Sequence, residues 1–232
     1  MSQVNDLLAE GLLSLCKSDP AIENIIAPRR EEIVTLLAAY IAEIMTHNPV
    51  LSLVGTNDPR ELAIRHVLDS LAPLGIFSRK CNLSSVADVG SGAGLPGIPL
   101  AVALPDSEFT LIERKGRRSG FLRNTLAALT DKNGNGLHIS VEEQEMEKVK
   151  PRRFTMVTFR AFKPLEPKIL KKLFRLCTEG GLLAAYKGRQ SKVEAEIAEL
   201  QQQMPNQTIQ WELIPCPVPM LDEERHLLLI RS

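Results

Sequence analysis

The sequence lacks the features that mark secreted, membrane-bound and metal-binding proteins. Its four cysteines, Cys16, Cys81, Cys177 and Cys216, are scattered with no pair at metal-ligand or redox-motif spacing. We therefore expect reduced thiols and no metal site. The N-terminus has no positively charged leader followed by an apolar run, and no apolar stretch approaches the ~20 residues that a bilayer requires. These absences predict a soluble, cytoplasmic protein without a membrane partner.

The chain also has no net charge, yet its charges are unevenly distributed. Residues 1–113 carry 7 Lys/Arg and 14 Asp/Glu, residues 114–192 carry 19 and 7, and residues 193–232 carry 2 and 7. A basic segment of this kind is typical of a surface that binds a phosphate backbone, although a solvated helix face has the same composition. Aromatic residues make up only 4% of the chain, which limits stacking against bases.

The first third of the chain has the apolar periodicity of helices. Apolar residues repeat at helical spacing over Asn5–Cys16 and Arg30–Asn48. A third helix is predicted with Asp58 as its N-cap and Pro59 as its first residue, ending at about Leu71. We therefore expect residues 1–75 to form a helical cap or extension and residues 76–232 to form the main domain.

From Ser85 onward, short apolar runs alternate with longer helical patterns, as expected for crossover units that build a parallel sheet. The predicted strands are Val86–Val89, Glu108–Glu113, Leu137–Val141, Thr155–Thr158 and Leu182–Tyr186. The predicted helices between them are Ile98–Leu104, Arg117–Thr130, Lys163–Cys177 and Ser191–Met204. Two further strands, Ile209–Ile214 and His226–Ile230, are predicted to form a closing hairpin. The pattern therefore predicts an α/β fold.

The most informative segment joins the first predicted strand to the helix after it. Its loop contains Gly90, Ser91, Gly92, Gly94 and Leu95. Glycines there permit a tight turn and close approach of a ligand to the backbone, and the following helix N-terminus offers free N–H groups. This arrangement predicts a nucleotide-like cofactor, with a plain glycine-rich turn as the alternative.

An acidic residue follows at the spacing that such a cofactor requires. Glu113 ends the next predicted strand, 23 residues after Gly90, about where a carboxylate meets ribose hydroxyls in this architecture. The alternative is an exposed acidic strand end.

Two cofactor classes fit the glycine loop. Residues 92–97 match the dinucleotide pattern G-x-G-x-x-G, so an NAD(P)-dependent oxidoreductase is the rival enzyme class. That pattern places its first glycine at the strand end, whereas here the strand is predicted to end at Val89 and Gly90 opens the turn. The register that starts at Gly90, with Asp88 inside the strand, is typical of methyltransferases. No paired Tyr/Lys motif supports hydride chemistry.

Several short motifs then follow one another in a fixed order. They are Asn48, Arg65-His66, Asp69-Ser70-Leu71, the glycine loop with Leu95-Pro96-Gly97-Ile98-Pro99, Phe121-Leu122, Arg160-Ala161, Lys187-Gly188 and residues 218–227. With them the chain resembles the RsmG family, also called glucose-inhibited division protein B, from about Asn48 to the C-terminus. The resemblance implies a Rossmann-like class I methyltransferase sheet that ends in an antiparallel hairpin. It also implies methyl transfer from S-adenosylmethionine to N7 of a guanosine in 16S ribosomal RNA of the small subunit.

The resemblance assigns cofactor roles to particular residues. Gly90 and Leu95 match the family's cofactor loop, Glu113 its acidic ribose partner and Arg160 its cofactor-site arginine. The acidic partner is usually aspartate, so the longer Glu113 implies a slightly shifted ribose. The adenine contact has no clear equivalent; Glu142-Glu143 is the best placement and Gln144-Glu145 is nearly as good. Thr155 stands where an aspartate is common.

Guanine N7 carries a lone pair and no proton, so no general base is expected and alignment should supply most of the catalysis. Because N7 must stay free, an arginine could hold only O6, a phosphate or the cofactor. Arg160 is the first candidate for such a catalytic role, with an ion pair to a nearby carboxylate as the alternative.

Other cations are candidates for binding RNA. Lys187, which follows a strand, could contact a phosphate or the base. Arg65, His66, Arg225 and His226 fit either RNA contacts or hydrogen bonds between elements. Arg117 and Arg118, with Arg114 and Lys115, would neutralise phosphates without reading sequence.

Two other function classes remain open at this point. The glycine loop does not identify the methyl acceptor, so a protein or small-molecule methyltransferase fits, although the basic segment disfavours it. A non-catalytic RNA-binding or ribosome-assembly protein is disfavoured by the intact loop and Glu113. We expect a monomer.

Overall fold

A computed structural model describes residues 2–130, 133–161 and 164–231 of the chain. Its strands are β1 (Ser85–Val89), β2 (Glu108–Ile112), β3 (Ile139–Glu142), β4 (Phe154–Arg160), β5 (Cys177–Lys187), β6 (Gln210–Pro215) and β7 (His226–Arg231). They form one sheet in the order β3-β2-β1-β4-β5-β7-β6. The first five strands are parallel, and β7 runs antiparallel to both β5 and β6. The predicted α/β fold with a closing hairpin is confirmed.

The helices cover both faces of the sheet. They are α1 (Ser2–Ser18), α2 (Pro20–Ile26), α3 (Arg30–Leu51), α4 (Pro59–Glu61), α5 (Asp69–Leu71), α6 (Leu74–Lys80), α7 (Gly97–Ala103), α8 (Gly116–Ala128), α9 (Pro167–Leu176) and α10 (Gln190–Gln203). Helices α1 to α6 precede the first strand, and α7 to α10 lie between strands. A 3-10 turn, Ala27–Arg29, joins α2 to α3, and a π-helix, Leu62–Leu68, joins α4 to α5. Asp58 accepts a hydrogen bond from the Glu61 N–H at 2.9 Å, which confirms it as the N-cap.

The strands bury both faces, as expected of a parallel sheet with helices on each side. Successive residues belong to different cores. Val86 lies in the core that contains apolar residues of α1, α3, α7 and α8, and Ala87 lies in the core that contains those of α9 and α10. The N-terminal helices therefore share one apolar core with a face of the sheet. The division of the chain at residue 75 stays a prediction.

The bounds of several predicted elements differ from the structure. Cys177, predicted to end a helix, instead begins β5, because its backbone pairs with Phe154 after α9 has ended at Leu176. Lys163, the predicted start of that helix, lies outside the described residues. Helices α2 and α6 were not predicted, although Asp19-Pro20 repeats the start signal of Asp58-Pro59 and the Asp19 side chain accepts from the Ala21 N–H at 2.9 Å.

The expectation of no long apolar stretch also needs correction. The helical stretch Pro20–Leu51 has the length and mean hydropathy of a membrane-spanning helix. It consists of three successive helical segments, and residues such as Ile33, Leu37 and Ile41 lie in the core beside the sheet. Core packing therefore accounts for its apolar character.

Gly97, the first residue of α7, brings that helix into close contact with the sheet. Its N–H donates to Asp88 Oδ2 at 2.9 Å. A Cβ at this position would overlap Leu111 and lie 2.8 Å from Asp88 Oδ2, and both neighbours are fully buried. Only glycine therefore fits between α7 and the sheet without displacing a packed side chain.

We expect Gly97→Ala to lower the free energy of unfolding by about 1–3 kcal/mol, the usual cost of overpacking. Gly120→Ala is the matched control, since Gly120 lies inside α8 and an added Cβ there would meet no atom within 4 Å. That change should raise the free energy of unfolding by about 0.5–1 kcal/mol through the helix propensity of alanine. Urea unfolding of both variants measures these changes in the free energy of unfolding. Equal changes would contradict the close packing of Gly97 against Leu111 and Asp88.

Candidate functional site

The carboxyl ends of β1, β2, β4 and β5 meet at one edge of the sheet. The chain moves outward from β1 to β3 and then returns to place β4 on the other side of β1. Ligands of open α/β sheets bind at such a reversal of strand order. The predicted glycine loop, Glu113, Arg160 and Lys187 all lie at or just after these strand ends.

The glycine loop is a fixed turn. Gly90, Gly92 and Gly94 have φ angles of 72°, 58° and 94°, which L side chains rarely adopt. The Gly90 N–H donates to the Ile112 carbonyl at 2.8 Å, and the Gly94 N–H donates to the Ser91 carbonyl at 2.7 Å. At Gly92 no atom lies closer than 3.7 Å to an added Cβ, so its backbone conformation, rather than lack of space, requires glycine.

Glu113 lies beside this loop. Its Oε2 accepts from the Gly92 N–H at 3.1 Å and its Oε1 from the Lys115 N–H at 2.8 Å. The residue is 5% exposed, so the carboxylate is held between the loop and the start of α8. Each oxygen keeps a second lone pair that a ligand hydroxyl can use.

Asp88 lies beneath the loop and is fully buried. Its Oδ2 accepts from Gly97, while its Oδ1 has no hydrogen-bond partner among the described residues. Burial raises the pKa of Asp88 to about 7, even though the Gly97 N–H and the charge of Arg160 favour ionisation. The expectation that α7 begins with free N–H groups is wrong at two positions, because Gly97 bonds to Asp88 and Ile98 to the Gly94 carbonyl.

Helix α3 also contacts the glycine loop. The hydroxyl of the fully buried Tyr40 donates to the Ala93 carbonyl at 2.8 Å. At the end of α3, Arg118 from α8 donates to the Ser52 carbonyl at 3.2 Å. The N-terminal helices therefore contribute directly to the position of the glycine loop.

Arg160 joins the sheet edge to the π-helix. Its NH1 lies 3.0 Å from Asp69 Oδ2 and donates to the His66 carbonyl at 3.3 Å. Its NH2 lies 3.0 Å from His66 Nδ1. Arg160 therefore forms the ion pair that the alternative interpretation expected, and its catalytic and cofactor-binding roles stay predictions. Burial raises the pKa of Asp69, although Arg160 and Arg225 both oppose that shift.

The charges continue from this pair toward the surface. Arg225 Nε lies 3.3 Å from Asp69 Oδ1, and its NH2 lies 3.0 Å from Glu223 Oε2. The other oxygen of Glu223 lies 2.7 Å from Arg65 NH1. Cations and anions thus alternate from β4, through α5 and the segment before β7, to the π-helix.

A cavity of about 250 Å³ opens beside this chain of charges. The lining comes from the π-helix, α5 and the residue before α6, the ends of β4, β5 and β6, and the start of β7. The lining residues are Arg65, His66, Asp69, Pro73, Arg160, Ala161, Tyr186, Lys187, Gly188, Cys216, Arg225, His226 and Leu227. The predicted residues Arg65, His66, Arg160, Lys187, Arg225 and His226 are therefore brought together around one space.

The sequence profile of the family described as rRNA small subunit methyltransferase G matches residues 33–227, which include the glycine loop, Glu113 and the whole cavity. The chain belongs to this family. The methyltransferase class is thus settled over the NAD(P)-dependent oxidoreductase that the offset glycine pattern allowed. The match starts within α3, so part of the N-terminal helical region belongs to the family's common structure.

Individual relatives cover nearly the whole chain. Ribosomal RNA small subunit methyltransferase G of Treponema pallidum (strain Nichols) is 34% identical over 232 residues, covering 97% of this chain and 93% of the relative. The same-named protein of Salmonella agona is 35% identical over 198 residues, covering 85% and 88%. Among solved structures, a SAM-dependent methyltransferase from Aquifex aeolicus has a TM-score of 0.51 at 17% identity, covering 75% of this chain and 93% of its own. That likeness confirms the Rossmann-like methyltransferase fold.

Other predicted RNA-binding residues of this family member make contacts within the protein. Lys187 Nζ lies 2.6 Å from Glu196 Oε2, and His226 Nδ1 lies 2.7 Å from the Gly188 carbonyl. Arg118 is half-buried against Ser52, whereas Arg117 is exposed and has no ion-pair partner in the described part of the chain. Their roles in RNA binding stay predictions.

The predicted adenine contacts are engaged with cations. Glu142 ends β3 next to β2, and its carboxylate pairs with Arg153 and accepts from the Gln144 amide. Glu143 is exposed and lies 2.8 Å from Arg123 NH1. Their role toward adenine stays a prediction.

Sequence reasoning gave no role to Tyr40, Asp69 or Glu223. Tyr40 lies at an apolar position of the predicted helix Arg30–Asn48. A buried tyrosine hydroxyl requires a partner, and that was the available signal. Asp69 and Glu223 pair with residues far away in sequence, which single-sequence patterns do not reveal.

Within the described residues, the thiols and other metal-ligating groups form no separate site. Across residues 2–130, 133–161 and 164–231, no group of three or more His, Cys, Asp or Glu residues is arranged to hold a metal ion. Burial raises the pKa of Cys16, and raises those of Cys81, Cys177 and Cys216 to about 12. These thiols are therefore poor nucleophiles.

We expect Asp69→Asn to lower the free energy of unfolding by about 3 kcal/mol, because it leaves two largely buried guanidinium groups without their shared counter-charge. Glu223→Gln is the control, since it breaks the more exposed pairs of the same chain of charges and should cost far less. Chemical unfolding of both variants provides the comparison. Similar losses of unfolding free energy in the two variants would show that Asp69 contributes no more to stability than Glu223.

Proposed function

We propose that this protein transfers a methyl group from S-adenosylmethionine to N7 of a guanosine in 16S ribosomal RNA, acting in the cytoplasm as a monomer. The observation that carries the proposal is the juxtaposition at one sheet edge of the glycine loop with Glu113 and a cavity lined by cations. The relatives are named for methylation of small-subunit ribosomal RNA, which supports the acceptor.

The glycine loop and its neighbours fit the cofactor. Glu113 has lone pairs for two ribose hydroxyls, and the open space over Gly92 allows a ligand to approach the backbone. Ser91, Gly94 and Leu95 complete the loop. The buried, unpartnered Asp88 Oδ1 is a further polar atom beside this site. S-adenosylmethionine would supply a methyl group activated by a sulfonium centre.

The chain's own residues then have mainly electrostatic and positioning roles. Guanine N7 needs no deprotonation, so no residue has to remove a proton. Arg160 lies beside the loop, but Asp69 neutralises its charge at 3.0 Å. Neutralisation matters because the reaction moves a positive charge onto the purine, and an unpaired guanidinium would repel it.

The RNA backbone would be bound by exposed cations at the cavity rim and at the start of α8. Arg65 lies at its rim, and Arg117 lies near the start of α8 with Arg114 and Lys115. Such groups increase affinity for phosphates without selecting a sequence. A protein or small-molecule acceptor explains neither this charge distribution nor the chain's membership of a family described as rRNA methyltransferases.

The decisive experiment incubates the protein with labelled S-adenosylmethionine and small ribosomal subunits, or naked 16S RNA, that lack the modification. We expect label in 7-methylguanosine after digestion to nucleosides. Label in another nucleoside would overturn the N7 assignment. Cofactor binding without label in either RNA would overturn the RNA acceptor and would direct the search to proteins and small molecules.

Glu113→Gln tests the cofactor site. We expect the dissociation constant for S-adenosylmethionine, measured by calorimetry, to rise about ten- to hundredfold, because hydrogen bonds to a charged acceptor are lost. Glu108→Gln changes the exposed opposite end of β2 and should leave the constant unchanged. Equal affinities of the two variants would remove Glu113 from the cofactor site.

A further inference from the structure

The tautomer of His66 follows from its partner. Arg160 NH2 lies 3.0 Å from His66 Nδ1. A guanidinium group has only donors, so Nδ1 must be the acceptor. A ring that accepts at Nδ1 is neutral and carries its proton on Nε2. The structure therefore makes His66 Nε2 a hydrogen-bond donor.

The surroundings keep this ring neutral. Burial lowers the pKa of His66 to about 4, and the charges of Arg160, Arg65 and Arg225 act in the same direction. The two nearby anions are held by arginines: Asp69 is shared by Arg160 and Arg225, and Glu223 by Arg225 and Arg65. His66 is thus a neutral donor at physiological pH rather than a cation.

The ring is also held in place. Arg160 contacts both the His66 carbonyl and Nδ1, and Asp69 holds Arg160. The Ser70 hydroxyl donates to the same carbonyl at 2.6 Å. These contacts lie at the π-helix, a local irregularity that is frequent at functional sites.

In the described part of the chain, the side-chain and long-range hydrogen bonds of His66 use its Nδ1 and its carbonyl oxygen and leave Nε2 unused. His66 also lines the cavity. A space of about 250 Å³ is below the range of pockets for drug-sized ligands and suits one extruded base rather than a stretch of RNA. Tyr186, whose hydroxyl donates to the Ser70 carbonyl at 2.7 Å, and Gly188 contribute other parts of the lining.

We propose that this cavity binds the target guanine base and that His66 selects it by donating from Nε2 to O6. The inference rests on the proposed function and adds the pocket and the residue that identify the base. O6 lies next to N7 on the major-groove edge of guanine, where adenine instead carries an amino donor. A fixed donor therefore accepts guanine and rejects adenine.

This choice of donor also suits the reaction. The N7 lone pair forms a bond to the methyl carbon while the carbon–sulfur bond breaks and its electron pair stays on sulfur. The positive charge moves from sulfur to the purine ring, and no proton is released from N7. A neutral donor on O6 leaves N7 free and does not repel this charge, whereas an imidazolium would.

A double-mutant cycle between protein and base tests the inference. The target guanosine, mapped from the labelled product, is replaced by 2-aminopurine riboside, which keeps N7 but lacks O6. We expect wild-type kcat/KM to fall about tenfold on this RNA, the effect of losing one hydrogen bond. His66→Phe should lose about tenfold on guanine and should equal the wild type on 2-aminopurine.

Additive losses from the two changes, or a wild type that does not distinguish the bases, would overturn the assignment of His66 to O6. His66→Gln, which offers an amide donor, should recover part of the loss on guanine only, and it provides a second variant if His66→Phe fails to fold. His138→Gln changes an exposed histidine before β3 and should leave both rates unaltered. Absence of wild-type methylation of any guanosine would instead refute the proposed function itself.

Discussion

The ion pair between Arg160 and Asp69 connects the two parts of the structure on which the site depends. Arg160 ends a central strand, whereas Asp69 begins the short helix after the π-helix of the N-terminal region. The pair fixes the π-helix at the sheet edge, bounds the cavity and orients His66. Because Asp69 is shared with Arg225, the same carboxylate also fixes the segment that leads into the last strand.

The glycine loop depends on contacts from several directions. Asp88 binds the start of α7 from beneath, Glu113 binds the loop from the neighbouring strand, and Tyr40 binds it from α3. The loop is thus rigid before any ligand arrives, which lowers the ordering cost of binding. The N-terminal helices are part of this support and also pack in the core of one sheet face.

Much of this fold and site could be predicted from the sequence, because local signals specify them. The alternating apolar runs predict the seven strands, and the Asp58-Pro59 signal predicts a helix start. The glycines beside a buried strand indicate the edge of the sheet where the candidate site lies. Cys177 was assigned to the wrong element because its pairing with Phe154 is a tertiary contact. The partners of Asp69, Tyr40 and Glu223 come from distant segments, so no local pattern reveals them.

Three of the four cysteines are buried, in different parts of the molecule. Cys16 lies in the core beneath the N-terminal helices, Cys177 in the opposite core and Cys216 beside the cavity. None reacts readily while its surroundings stay packed, since burial disfavours every thiolate. Each of these three regions therefore contains its own chemical reporter. The order in which alkylating reagents label the thiols would follow the order in which the N-terminal helices, the core beside α9 and α10, and the closing hairpin open.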